Sequence, residues 1–134
     1  MLRTEKKVWI STHFSMNYSF RTSDNFYKEA KTLHKKYKSL KDDLAKLRKE
    51  IENGTATMTD LGGGFYKIRM SITSKGQGKS GRARVITYET LVLMKDKEEE
   101  KRVVFVSIYD KSEFDTIDVK LLKANAKEIQ QYAE

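Results

Sequence analysis

The 134-residue chain contains no cysteine and only two histidines, His13 and His34. Without cysteine, disulfide bonds and thiolate metal sites are excluded. The two histidines stand apart from each other, so we expect no zinc site and no histidine-based proton transfer. We therefore predict neither a metal nor another cofactor.

Long apolar runs are also missing. The longest, residues 103–108, has the length of a strand rather than that of a membrane span. No charged segment followed by an apolar one opens the chain in the manner of a signal peptide. We expect a cytoplasmic protein with no membrane partner.

Positive charge, by contrast, is abundant. The chain has 27 lysines and arginines against 19 aspartates and glutamates, a formal net charge of +8. This excess favours a nucleic-acid partner, although a soluble protein with a lysine-rich surface has the same composition. Aromatic residues make up 10% of the chain, which favours one packed domain over disorder.

Residues 64–88, GFYKIRMSITSKGQGKSGRARVITY, contain six basic residues and no acidic one. Two strand-like runs flank a loop rich in glycine and lysine. Lysine and arginine supply positive charge, and glycine lets backbone N–H groups approach phosphate oxygens. The residues predicted to bind phosphate or RNA are Lys75, Lys79, Arg82, Gly76 and Gly78.

This loop ends like a nucleotide-binding P-loop, because residues 78–80 read Gly-Lys-Ser. A P-loop also needs a glycine five positions before Gly78, where this chain has Thr73. A P-loop must then open a helix, whereas strand-like residues come after this one. We therefore predict no nucleotide cofactor.

The remaining pattern predicts an α+β fold. A strand near residues 18–21 precedes two helices that begin at Ser23 and Ser39, with Asp42 expected to complete a capping box at the second. Three antiparallel strands and a last helix from about Asp118 come next. The apolar run at 103–109 predicts a strand buried on both faces.

The outer faces of the two predicted helices are basic. Such a charge run is usually a solvated face, and a contribution to phosphate binding is the second interpretation. The residues concerned are Lys28, Lys31, Lys35, Lys36, Lys41, Lys46, Arg48 and Lys49.

Residues 1–15 differ in character from the rest of the chain. We expect them to be an N-terminal extension that precedes a domain at residues 16–134, and an extra edge strand is the alternative. Trp9 favours the edge strand, since a lone exposed tryptophan is uncommon.

Three sequence blocks, residues 66–69 (YKIR), 74–88 (SKGQGKSGRARVITY) and 108–113 (IYDKSE), resemble the RelE/ParE superfamily of toxins from type II toxin–antitoxin systems, within its RelE-like branch. The resemblance implies a small twisted antiparallel β-sheet packed by an N-terminal helical hairpin and a C-terminal helix. It also implies an endoribonuclease that cuts mRNA on the ribosome and is neutralised by a cognate antitoxin. The superfamily also contains DNA gyrase inhibitors, so a gyrase inhibitor or a catalytically inactive RNA-binding relative is the alternative.

Metal-free RNA cleavage requires the 2′-hydroxyl to attack the adjacent phosphorus while one group accepts its proton and another protonates the leaving oxygen. Arg84 matches the family's arginine that clamps the scissile phosphate. Arg69 stands where some relatives have a lysine that is proposed as proton acceptor. Because arginine stays protonated, it is expected to stabilise charge instead, with Lys67 on the same face as a candidate base.

The IYDKSE block supplies the remaining candidates. Lys111 is a candidate general acid and Glu113 a second candidate base, while Tyr109 is a candidate stacking partner or proton donor. The alternative for Asp110, Lys111 and Glu113 is ordinary turn-forming and helix-leading charge.

Overall fold

The computed structural model describes residues 16–75, 82–111 and 119–134, so the expected N-terminal extension at residues 1–15 lies outside the described ranges. The strands are β1 (Met16–Thr22), β2 (Met58–Gly62), β3 (Phe65–Ser71), β4 (Arg82–Leu93) and β5 (Glu99–Asp110). The helices are α1 (Asp24–Lys36), α2 (Leu40–Asn53), α3 (Val119–Ala124) and α4 (Ala126–Gln131), and a short 3-10 turn covers Thr73–Lys75.

The described strands form one sheet in the order β1-β5-β4-β3-β2. β2 to β5 pair antiparallel in sequence order, as expected for the last three, while β1 pairs parallel with β5. The α+β class is confirmed, and β1 makes the sheet mixed rather than wholly antiparallel. β2 was not predicted, because its short sequence MTDLG carries no clear alternation and pairs along only one edge.

The two helices α1 and α2 cover one face of the sheet, which we call the hairpin face. Ser23 caps α1 as predicted, because its Oγ accepts a hydrogen bond from the Phe26 N–H at 3.0 Å. Gly54 ends α2 in the left-handed conformation, with φ 74°. The inner sides of α1 and α2 pack on buried residues of β3, β4 and β5; the most buried helix residues are Phe26, Leu33, Leu40, Leu47 and Ile51.

The start of α2 differs from its prediction. Ser39 makes no side-chain cap bond to the helix backbone. Its Oγ donates instead to Oδ2 of Asp43 at 2.7 Å, so Asp42 is the wrong partner. Asp43 is buried because it also bonds the turn after β3.

The opposite face of the sheet, which we call the open face, is partly covered by the C-terminal segment. Leu122, Ile129 and Ala133 pack there with residues such as Phe65 and Ile86. The single predicted helix is two short ones, separated at Asn125, whose side-chain amide donates to the Leu121 carbonyl at 3.0 Å.

The strand β5 is buried on both faces, as its apolar run predicted. Residues 103–110 are all buried, and side chains of β5 enter the cores on both sides. The pairing with β4 shifts between Ile86 and Thr87, so the alternation of β5 changes phase at a bulge. Tyr109 thereby lies on the open face, together with Val104 and Val106.

Candidate RNA-binding site

Three side chains form a row across the open face. Arg69 of β3 pairs with Arg84 of β4, and Arg84 pairs with Tyr109 of β5. The neighbours of Arg69 and Arg84 along their strands, such as Met70 and Val85, belong to the hairpin-face core. Because side chains alternate along a strand, both arginines point to the open face. We call these three residues the arginine row.

A second set of cations borders the arginine row. Arg82 is exposed and pairs with Ser71, and its carbonyl accepts the backbone N–H of Lys111 at 3.3 Å. Lys67, half-buried, lies two residues before Arg69 and pairs with Ile86. The end of β3, the start of β4 and the end of β5 therefore bring cationic residues to one end of the sheet.

The guanidinium of Arg84 is buried without a described negative partner. Arg84 is only 7% exposed, and its Nη1 donates to the carbonyl of Ala83 at 3.4 Å. Burial lowers its pKa from the ordinary value, and the charges of Arg69 and Arg82 lower it further, while Tyr109 acts in the opposite direction. Like charges directly opposite each other in a sheet are destabilising. The arrangement is therefore suited to an anion that would relieve this repulsion.

Tyr109 stays a phenol at neutral pH. It is 8% exposed, and burial raises its pKa above the ordinary 10.0, with the charge of Arg84 acting against this rise. A protonated phenol can donate a hydrogen bond or a proton.

A hydrogen-bonded network anchors the residues from which the basic loop departs. Asp43, at 7% exposure, accepts bonds from the Thr73 N–H at 3.1 Å, the Thr73 hydroxyl at 2.7 Å and the Ser39 hydroxyl. Ser39 Oγ also accepts from the Ser74 N–H at 2.8 Å, and the Ser39 N–H donates to Ser74 Oγ at 3.1 Å. These four residues, which we call the Asp43 network, join the start of α2 to the 3-10 turn.

A second buried carboxylate holds the end of α1. Asp110 is fully buried, and its Oδ2 accepts a bond from the Tyr37 hydroxyl at 2.8 Å. Its register partner is Ala83, next to Arg84. Asp110 therefore belongs to the interior, on the other side of the sheet from the arginine row.

A polar cleft of about 280 Å³ lies beside the arginine row. Arg69, Arg82 and Ser71 line it from the sheet, and Lys46 and Glu50 line it from α2. A larger cavity of about 670 Å³ is lined by residues of α3 and α4, by Val106 of β5 and by Ser23, the N-cap of α1. The cleft meets the arginine row only at Arg69, since Arg84 and Tyr109 do not line it, so we place the candidate site at the arginine row and treat the cleft as its border toward α2.

Several predicted residues lie outside the described ranges: Gly76, Gly78, Lys79 and Glu113. Lys75 ends the 3-10 turn. The element after the basic loop is the strand β4 rather than the helix that a P-loop would open. His34 is exposed on α1.

Two findings concern other kinds of site. Within the described ranges, no group of three or more histidine, aspartate or glutamate side chains could hold a metal ion. None of the helices described is long and apolar enough to cross a membrane.

The sequence patterns did not reveal the Asp43 network. Its two halves are 30 or more residues apart, and Ser39 carried only a helix-start signal. The one local sign was the pair of aspartates after Ser39, since the second aspartate lies one helical turn from the serine.

Fold and site together define a small basic α+β protein whose sheet gathers arginines in an arrangement suited to an anionic partner. The family model for the RelE toxin of the RelE / RelB toxin–antitoxin system matches residues 21–134. The chain therefore belongs to the RelE toxin family. No curated protein and no solved structure matches it.

Proposed function

We propose that this RelE-family toxin is a ribosome-dependent endoribonuclease that cuts mRNA during translation and is neutralised by a cognate antitoxin. The observation that carries the proposal is the arginine row: Arg84 is buried, faces Arg69 and has no described carboxylate acting on it. A scissile phosphate would supply the missing negative charge. Planar guanidinium groups bind phosphate oxygens in a bidentate manner.

In the proposed reaction the 2′-oxygen attacks phosphorus and the bond from phosphorus to the 5′-oxygen breaks. The products are a 2′,3′-cyclic phosphate and a free 5′-hydroxyl. Arg84 and Arg69 stabilise the charge that grows on the phosphate oxygens. Lys67, on the same side of β3, and Glu113 are the two candidates to accept the 2′ proton.

The leaving 5′-oxygen takes up a proton from Lys111 or Tyr109 in this scheme. Tyr109 lies in register with Arg84, and Lys111 comes directly after the end of β5. Arg82, Lys75 and Lys79 would bind the neighbouring RNA backbone, assisted by Gly76 and Gly78. Proton-transfer groups of this kind are weak, so the ribosome must hold the mRNA in a reactive geometry.

The test compares Arg84→Ala with Arg48→Ala, an exposed arginine on α2. We expect Arg84→Ala to lose cleavage of mRNA on translating ribosomes by about 10²- to 10³-fold, as for loss of one charge-stabilising donor. Arg48→Ala should cleave normally, and both should bind the antitoxin. The same mRNA free of ribosomes should be cut poorly by the unaltered protein.

Two results would contradict the proposal. Full cleavage by Arg84→Ala would remove the arginine row from the mechanism. Absence of cleavage by the unaltered protein, with inhibition of gyrase supercoiling in a parallel assay, would move the toxin to the gyrase-inhibiting class.

A further inference from the structure

A second cationic surface lies at the turn between α1 and α2. Residues 31–41, KTLHKKYKSLK, contain five lysines and no acidic residue. All five lysines are exposed, and Lys36 also lies over the ring of Tyr37 at 5.7 Å. We call this segment the lysine tip.

The lysine tip is fixed to the end of the sheet that carries the candidate site. Tyr37 bonds Asp110, whose strand partner is adjacent to Arg84. Ser39 bonds Ser74, in the turn after β3. Two hydrogen-bonded attachments therefore hold the lysine tip against the ends of β3 and β5, rather than leaving it free in solvent.

The apolar residues of the lysine tip point inward. Leu33 and Leu40 are buried in the hairpin-face core, and Tyr37 is half-buried against it. Apart from the half-buried ring of Tyr37, the lysine tip therefore exposes charged and polar side chains and no fully exposed apolar one. Protein–protein interfaces are depleted in lysine and depend on apolar or aromatic anchors, whereas phosphate contacts need only positioned charge.

We propose that the lysine tip is a second RNA-binding surface, which holds the phosphate backbone of a structured RNA while the arginine row engages the RNA to be cut. Lys31 and Lys35 lie one helical turn apart on α1, and Lys38 comes just after the helix ends, so the lysines are spread along the surface as phosphates are along an RNA backbone. The catalytic part of this inference rests on the proposed function, whereas the binding part stands separately. The ribosome supplies RNA of this kind.

The test uses Lys35→Gln/Lys38→Gln. Its matched control is Lys95→Gln/Lys127→Gln, which changes net charge equally at exposed positions in the β4–β5 turn and on α4. The probes are purified 70S ribosomes and an RNA duplex of about 16 base pairs, with affinity measured over a range of salt concentrations. For the tip variant we expect weaker binding, and a slope of log affinity against log salt reduced by roughly 0.7 to 0.9 for each lysine lost.

Cleavage measurements separate this inference from the proposed function. The tip variant should need more ribosomes for half-maximal cleavage but reach the unaltered single-turnover rate at saturation. Arg84→Ala should show the opposite pattern, with binding of the ribosome retained and the rate lost. If the unaltered protein does not cut mRNA at all, the duplex-binding comparison still decides the role of the lysine tip.

Three outcomes would overturn the inference. The first is unchanged affinity and salt slope for the tip variant, and the second is an equal loss for the control variant, which would indicate net charge alone. The third is normal RNA binding with weakened antitoxin binding, which would assign the surface to an acidic protein partner. Thermal unfolding of both variants serves as the check that they are folded.

Discussion

The strands β4 and β5 carry buried or partly buried cations at both ends of the pair. At one end carboxylates lie beside the cations, and at the other end further cations do. Near the β4–β5 turn, Arg102 Nε lies 2.7 Å from Glu100 Oε2, and Lys101 Nζ lies 3.2 Å from Glu89 Oε1. Arg102 Nη1 also donates to the Ala133 carbonyl at 2.7 Å. At the other end, Arg84 is buried beside two further arginines.

The two ends differ in whether a carboxylate lies beside the buried cation. Glu100 is 4% exposed, so the charge of Arg102 at 2.7 Å helps to compensate a buried carboxylate. Within the described residues, no carboxylate acts on Arg84 in the same way. Gathering like charges does not stabilise a fold, and this is the observation on which the proposed role of Arg84 in phosphate binding rests.

The largest expected effect is on the free energy of unfolding, when the buried cation at each end of the strand pair is replaced by methionine. Arg102→Met should lower the free energy of unfolding by about 3 kcal/mol, because it removes the cation that pairs with the buried carboxylate of Glu100. Arg84→Met should leave the free energy of unfolding unchanged or raise it, because it removes a buried cation from repulsive neighbours. Urea denaturation of both variants measures the two values.

The comparison fails if the two substitutions destabilise the protein equally. In that case Arg84 would be part of the packing of the open face, and its role in RNA binding would need another explanation. Arg82→Met is the matched control at the same end, since Arg82 is exposed and should change stability little.

The Asp43 network gives the next largest effect, because the cationic end is held by hydrogen bonds to a buried carboxylate. Asp43→Ala leaves the Thr73 N–H and hydroxyl without their acceptor, and we expect a loss of about 2 kcal/mol. Thr73→Val removes one donor and keeps the shape, so it should cost about 1 kcal/mol. Urea denaturation ranks the two variants.

Asp42→Ala is the control, because Asp42 is exposed and adjacent in sequence. A loss for Asp42→Ala as large as that for Asp43→Ala would point to a general effect of negative charge at the start of α2. The Asp43 bonds to the turn after β3 would then contribute little.

The sequence predicted what local periodicity determines. The buried strand β5 and the shared face of Lys67 and Arg69 follow from the sequence pattern, and the structure contains both. Because β3 and β4 are consecutive strands in the sequence, the approach of Arg69 and Arg84 could also be expected. The family was recognisable from three short blocks.

The features that the sequence could not predict are those that depend on contacts between residues far apart in the chain. The strand β1 lies parallel to β5, although α1, α2 and three strands separate the two in sequence. Asp43 and Asp110 were ordinary charged residues in their local context, and both are buried in the fold, where they bond residues distant in sequence such as Thr73 and Tyr37. Local patterns identify a face or a helix start, but not the partner across the fold.

The smallest expected effect is a shift in the pKa of two tyrosines, Tyr109 near Arg84 and Tyr18 near Lys101, at opposite ends of β5. Burial raises the pKa of Tyr109, and Arg84 acts against that rise. Burial likewise raises the pKa of Tyr18, and Lys101 acts against it, while the nearby carboxylate of Glu89 adds to the rise. A raised phenol pKa means that the folded state favours the neutral form. The stabilising contribution is therefore complete below the unfolded pKa of about 10 and is lost as pH rises through the folded value.

Removal of each cation should raise the pKa of its tyrosine further. Arg84→Met should move the titration of Tyr109 to higher pH, and Lys101→Met should do the same for Tyr18. Ultraviolet absorbance of the phenolate, with Tyr109→Phe and Tyr18→Phe used to assign each transition, measures both shifts. The two variants should act only on their own tyrosine, because the pairs lie at opposite ends of β5. A Tyr109 titration that does not respond to Arg84→Met would show that the guanidinium and the phenol do not interact, and would weaken the case that Tyr109 and Arg84 act on one phosphate.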